Sequence, residues 1–125
     1  MLGQFDASPT LPVKDLARAR RFYEQMLGLA PEGDSEMGVQ AYRAGGVALT
    51  VYESEFAGTN QGTAVTWPVG DRFDAVVAAL RGKGVAFETY DMPGITVEDG
   101  VHRAGDMKLA WFKDPDGNIH HVGSF

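Results

Sequence analysis

The stretch Leu11-Pro12-Val13-Lys14-Asp15 returns 56 residues later as Trp67-Pro68-Val69-Gly70-Asp71. At the same offset of 56, Gly28-Leu29-Ala30-Pro31-Glu32 returns as Gly84-Val85-Ala86-Phe87-Glu88. Two echoes at one spacing enclose segments of equal length, the mark of a duplicated unit. Both enclosed segments read as helices. Leu16, Ala19, Phe22, Tyr23, Met26 and Leu27 recur at spacings of three and four, giving one apolar face, and Phe73, Val76, Val77 and Leu80 do the same in the second copy. Asp15 and Asp71 stand where an N-cap carboxylate is expected. Gly28 and Gly84 stand where a helix ends in the left-handed conformation.

Working outward, each helix is flanked by strands. Residues 5–12 lead into the first helix and residues 62–68 into the second, with Pro12 and Pro68 at strand ends, where a missing N–H does little harm. After the first helix, residues 30–36, 39–44 and 47–53 read as three short strands, with Gly45-Gly46 as a tight hairpin turn. After the second come 85–90, 108–113 and 119–123, the last two joined by the turn Asp114-Pro115-Asp116-Gly117-Asn118. The hairpin turn shifts by 72 residues between copies instead of 56, so the second copy is 16 residues longer. The excess falls at residues 91–106, an excursion expected to form part of a pocket wall. The predicted organisation is one α+β domain of two βαβββ modules, 1–57 and 58–125.

Composition narrows the functional classes. The 125 residues include 17 acidic and 11 basic side chains, for a net charge of −6, which opposes binding to a phosphate backbone. Arg18, Arg20 and Arg21 form the one dense basic group and read as a solvated helix face. There are no cysteines, which excludes disulfides, thiol nucleophiles and thiolate metal sites and fits a reducing cytoplasm. No apolar run is long enough to span a bilayer, and residues 1–8 lack the pattern of a signal peptide. A cytoplasmic protein without nucleic-acid or membrane partners is expected.

The runs Leu11-Pro12-Val13-Lys14-Asp15-Leu16, Arg21-Phe22-Tyr23 and Leu27-Gly28-Leu29 resemble the opening of a vicinal oxygen chelate module. Phe112-Lys113-Asp114-Pro115-Asp116-Gly117-Asn118 resembles that superfamily's closing motif. The superfamily contains glyoxalase, bleomycin-resistance and extradiol-dioxygenase proteins, and the resemblance covers nearly the whole chain. It implies a curved, mixed eight-stranded sheet around a cavity with the helices outside. In metal-using relatives four inward-facing positions bind one divalent ion. Counting from the matching motifs places them at Ser8, Ala64, Leu49 and His121. Alanine and leucine cannot ligate and a serine hydroxyl is a weak ligand, whereas a stable divalent site needs three or more good donors. No metal or other cofactor is therefore expected. One other set, His102 and His121 with Glu98 or Asp99, would need the excursion to fold over His121.

These residues predict a metal-independent protein that binds a small organic molecule. Strand alternation assigns Ser8, Thr10, Leu49, Ala64, Thr66 and His121 to the ligand side, with His102 and Arg103 reaching the ligand from the excursion. The rival is an enzyme of lyase, isomerase or dioxygenase type, with a displaced metal or with His121 as acid–base. A third reading is a dimeric scaffold without a small ligand. A two-fold homodimer is expected because open curved sheets leave edges to cover.

Overall fold

The computed structural model describes residues 1–125, except for the side chain of Leu2. It divides into two compact units, Met1–Asn60 with Pro115–Gly117, and Gln61–Asp114 with Asn118–Phe125.

In the first unit, β1 (Thr10–Val13) is followed by α1 (Leu16–Arg20), which continues as a π-helical turn over Arg21–Met26. Then come β2 (Ala30–Glu36), β3 (Val39–Ala44) and β4 (Val47–Glu53). The sheet order is β1-β4-β3-β2, with β1 parallel to β4 and the other pairs antiparallel. Leu11, Val13, Gln40, Tyr42, Leu49 and Val51 are buried, and the register puts them on one face. That face packs beneath the helix, where Tyr23 stacks on Tyr42 with 5.9 Å between centroids. The π turn, closed by Leu27 N–H donating to the Phe22 carbonyl, lets the adjacent Phe22 and Tyr23 both turn inward. The Tyr42 hydroxyl under the helix donates to Glu24 Oε2 at 2.9 Å, and burial raises its pKa.

Asp15 caps α1 as its position predicts, with Oδ1 accepting from the Ala17 and Arg18 N–H groups at 2.9 and 3.3 Å. The same unit holds a buried carboxylate, Asp116, which accepts from Arg18 at 2.6 Å and from the Lys14 N–H at 3.2 Å. Asp71 differs from its counterpart. A 3₁₀ turn (Gly70–Arg72) precedes α2 (Phe73–Gly82), so the cap position passes to Arg72, which makes no side-chain capping bond. Gly70, with φ +58°, turns the chain where the first copy has Lys14, and Asp71 is taken up in that turn.

The second unit contains β5 (Thr63–Pro68), α2, β6 (Thr96–Glu98), β7 (Val101–Ala104), β8 (Met107–Lys113) and β9 (Ile119–Gly123). Its order is β5-β9-β8-β7-β6, with β5 parallel to β9. The described residues thus form nine strands in sheets of four and five, instead of the eight expected. The excursion is the reason. The predicted strand at 85–90 contributes only a bridge between Phe87 and Phe112 and a bond from the Glu88 N–H to the Trp111 carbonyl. The chain then leaves the sheet and returns as β7, pairing His102 with Leu109, while β6 folds back on β7. Residues 91–106 therefore contain two paired strands and are not a plain loop. Their hairpin turns at Asp99 (φ +51°) and Gly100 (φ +77°). A Cβ at Gly100 would lie 2.7 Å from that of Phe87, so only glycine fits there.

No helix among the described residues is long and apolar enough to cross a membrane. The unequal caps predict unequal mutational costs. Asp15→Ala should lower unfolding free energy by about 1 kcal/mol, and Asp71→Ala should stay within about 0.5 kcal/mol of the parent. Urea denaturation of the two variants checks the difference.

Candidate functional site

The β8–β9 pairing divides the aromatic residues of the second unit between two faces. Phe112 lies opposite His120 and Trp111 opposite His121. Adjacent strand residues point to opposite sides, so the two histidines part company. His120 joins Val65, Ala110, Phe112 and Val122 in the core shared with Phe73, Val77 and Leu80 of α2. Its ring stacks on Phe112 at 4.9 Å, and its Nδ1 accepts from the Trp67 indole N–H at 3.0 Å. Burial pushes its pKa down to about 4.

The opposite face gathers a different set. The His121 ring stacks on Trp111, centroids 4.6 Å apart and planes 18° from parallel. Tyr90 meets Trp111 edge-on at 5.6 Å and His102 meets it edge-on at 4.9 Å. Phe125 tilts over His121 at 5.9 Å. Thr66 lies opposite His121 on β5 and completes this face. Two polar atoms in the cluster are shielded from water and, among the described residues, have no hydrogen-bond partner: the Tyr90 hydroxyl and His121 Nε2. Each such orphan costs about 1–3 kcal/mol. Desolvation lowers the His121 pKa, so the ring is neutral near pH 7.

His102 has another role. It is fully buried, and its Nε2 accepts from the Tyr90 N–H at 2.9 Å. That leaves the proton on Nδ1, which donates to the Gly100 carbonyl at 3.1 Å. Both nitrogens are spent tying Tyr90, just before the excursion, and Gly100, at its hairpin turn, to β7. His102 therefore presents nothing to a ligand directly, and it sets where Tyr90 sits.

The other expected residues are placed as follows. Arg103 is exposed and, by alternation on β7, lies on the face opposite His102, away from the cluster. Ala64 sits at a β-bulge: Thr63 pairs with Ile119 and Val65 with His120, so two steps on β5 match one on β9 and strict alternation fails there. In the first unit Leu49 belongs to the core beneath α1 and not to the ligand side. Thr50, one residue on, pairs with Thr10 and shares its face, away from the helix. Ser8 is exposed, and its hydroxyl donates to the Ala48 carbonyl. Sequence reasoning overlooked Trp111, Tyr90, Phe125 and Thr50. Trp111 was accessible by counting, because closing the turn at 114–118 sets residue 111 opposite 121. Nothing local marks Tyr90 or Phe125.

These side chains do not suit the metal that the resemblance implies. Of the four inferred positions only His121 carries a good ligand atom. Among the described residues no three His, Cys, Asp or Glu side chains gather. The other set fails too, since the His102 nitrogens are occupied and Glu98 is exposed on the same side of the hairpin as Arg103.

A duplicated strand–helix–sheet unit, with small, polar and aromatic side chains on a face the helix leaves free, defines a class of α+β proteins. The sequence matches the family model of the Glyoxalase/Bleomycin resistance protein/Dioxygenase superfamily over residues 6–122, and the chain belongs to that superfamily. Similar solved structures include a bleomycin-binding protein complexed with bleomycin, with TM-score 0.71, 17% identity, and coverage of 97% of this chain and 98% of that one. The fosfomycin resistance protein FosX from Mesorhizobium loti has TM-score 0.70, 15% identity, and coverage of 100% and 94%. Lactoylglutathione lyase from Agrobacterium tumefaciens has TM-score 0.71, 16% identity, and coverage of 95% and 92%. No match is found among curated protein sequences.

Burial of His120 yields a pH prediction. The unfolded chain takes up this proton near pH 6.5 and the folded chain only near 4, so the stabilising difference is complete above 6.5 and is lost as pH falls towards 4. The loss amounts to about 3 kcal/mol. A His120→Leu variant, followed by thermal unfolding across this range, should show a flatter profile than the parent. Identical pH slopes would exclude the buried imidazole as the source.

Proposed function

We propose that the chain is a metal-independent small-molecule binding protein, with its ligand on the helix-free face of the second sheet, against Trp111 and His121. The observation that carries this reading is the aromatic cluster holding two shielded polar atoms without protein partners. Apolar walls with a few convergent polar groups are the usual build of an organic-ligand site. A relative solved with bleomycin shows the fold carrying an organic molecule, and this chain's donor atoms give a divalent ion too little to bind. Thr66 lines the same face. Ala64 borders it, while Ser8 and Thr10 belong to the first unit and contribute there if that sheet also meets a ligand.

His121 also supports a second reading, an enzyme using acid–base chemistry. Its Nε2 is unpartnered and its ring neutral, as a general base requires. For assembly we propose a two-fold homodimer, since β2 and β6 are sheet edges and Met37, Val39 and Val47 are exposed apolar side chains. A dimeric scaffold with no small ligand is the third reading, and it leaves the two orphan atoms without purpose. The lack of cysteine supports a cytoplasmic location.

Thermal-shift screening against aromatic organic compounds, with and without EDTA, tests the main reading. Ligands should raise the unfolding temperature equally in both conditions. Trp111→Leu should weaken their binding roughly tenfold, as expected on losing a stacked aromatic anchor. A stoichiometric divalent ion that survives desalting, and whose removal abolishes binding, would overturn the metal-free reading. Light scattering checks the dimer.

A further inference from the structure

Tyr90 Oη and His121 Nε2 belong to rings that flank Trp111, one edge-on at 5.6 Å and the other stacked at 4.6 Å. Both atoms are shielded, and both lack a protein partner among the described residues. A phenol hydroxyl can donate or accept, and an imidazole nitrogen does one or the other according to tautomer. Each atom is suited to a ligand group that can both donate and accept. The surrounding charges are already answered. Lys113, on the same face as Trp111, is paired with Glu88 at 3.3 Å, and Arg103 lies on the other face. A charged ligand would lose hydration here and meet no free counter-charge. The stacking geometry favours a flat ring, because the exposed Phe125 ring already rests over His121 at 5.9 Å and is seated on Gly123, where any Cβ would overlap it. An incoming ring takes Phe125's place with little cost to the core, since Phe125 is 54% exposed.

We propose that this face takes a neutral, planar ring bearing a carboxamide or lactam, hydrogen-bonded to Tyr90 Oη and His121 Nε2. His102 acts as a positioning residue, holding Tyr90 in place through its backbone N–H. The proposal rests on the small-molecule reading above and narrows it to a ligand class.

The test uses three probes of matched size on the full chain: benzamide, benzoate and cyclohexanecarboxamide. Binding is followed by the NMR shifts of the Trp111 and His121 rings. Benzamide should bind saturably. Benzoate, charged and lacking the donor, and cyclohexanecarboxamide, lacking the flat ring, should each bind roughly tenfold more weakly. Tyr90→Phe should weaken benzamide roughly fivefold to tenfold. It should leave thermal stability unchanged or raised, because it removes an unsatisfied buried hydroxyl; a merely structural tyrosine would show the reverse. Equal binding of benzamide by parent and Tyr90→Phe overturns the proposal. Tighter binding of benzoate or cyclohexanecarboxamide overturns the ligand class but leaves a small-molecule site standing. Failure of all three probes also overturns the class, and the compound screen then decides the broader reading separately.

Discussion

The register between β8 and β9 is held at one turn. The Asp114 carboxylate accepts from the Asn118 backbone N–H at 2.8 Å and from its side-chain amide at 2.7 Å, and the Asp114 N–H donates to the Asn118 carbonyl at 3.0 Å. Both residues are buried, so these bonds form away from competing water. A one-residue slip would send every β9 side chain to the opposite face. His121 would enter the α2 core and His120 would face outward. The separation of a structural histidine from a candidate ligand histidine therefore depends on this clamp.

From that register the second unit follows in order. Phe112, Ala110 and Val122 close over α2 with His120 among them, and Trp111 stands beside His121. The excursion then supplies what the duplicated module lacks. It follows directly on Tyr90 and returns as β7, where His102 bonds to the Tyr90 backbone and to Gly100 at the hairpin turn. A histidine in an inserted segment reads as a ligand contact, yet its buried nitrogens here are engaged in folding. The orphan atoms lie on its neighbours instead. Unsatisfied buried polar groups are the exception in folded proteins, so two in one cluster carry more information than the three histidines do as a class.

The two units share a plan but use it differently. In the first, Tyr42 and Gln40 are absorbed beneath the helix, and the helix-free face carries Thr10 and Thr50. The matching pair in the second unit is Thr66 and His121. Where the first unit has a threonine, the second thus has an imidazole beside an indole. The inferred metal positions dissolve for the same kind of reason. Ala64 sits in a bulge, Leu49 is core, and Ser8 is bonded to backbone.

The repeat offset, the helix periodicities and the turn residues were enough to define an α+β duplication, because each depends on neighbours within a few residues of one another. The bounds of β2, β3, β4 and β9 were legible for that reason. Asp71 was misread because one glycine before it redirected the chain. Leu49 was misread because counting from a turn carries an error of one residue, and in a strand one residue is a change of face. Arg103 and His102 were both expected at the ligand, yet Arg103 faces away and His102 bonds to backbone, because β7 pairs with β8 over a distance that no local pattern encodes. Tyr90, Trp111, His121 and Phe125 are scattered over 36 residues of sequence and meet only through strand pairing. Sequence determined which modules form and what chemistry is available. Tertiary structure decided which side chains face one another, since facing is a property of register and register is set between strands.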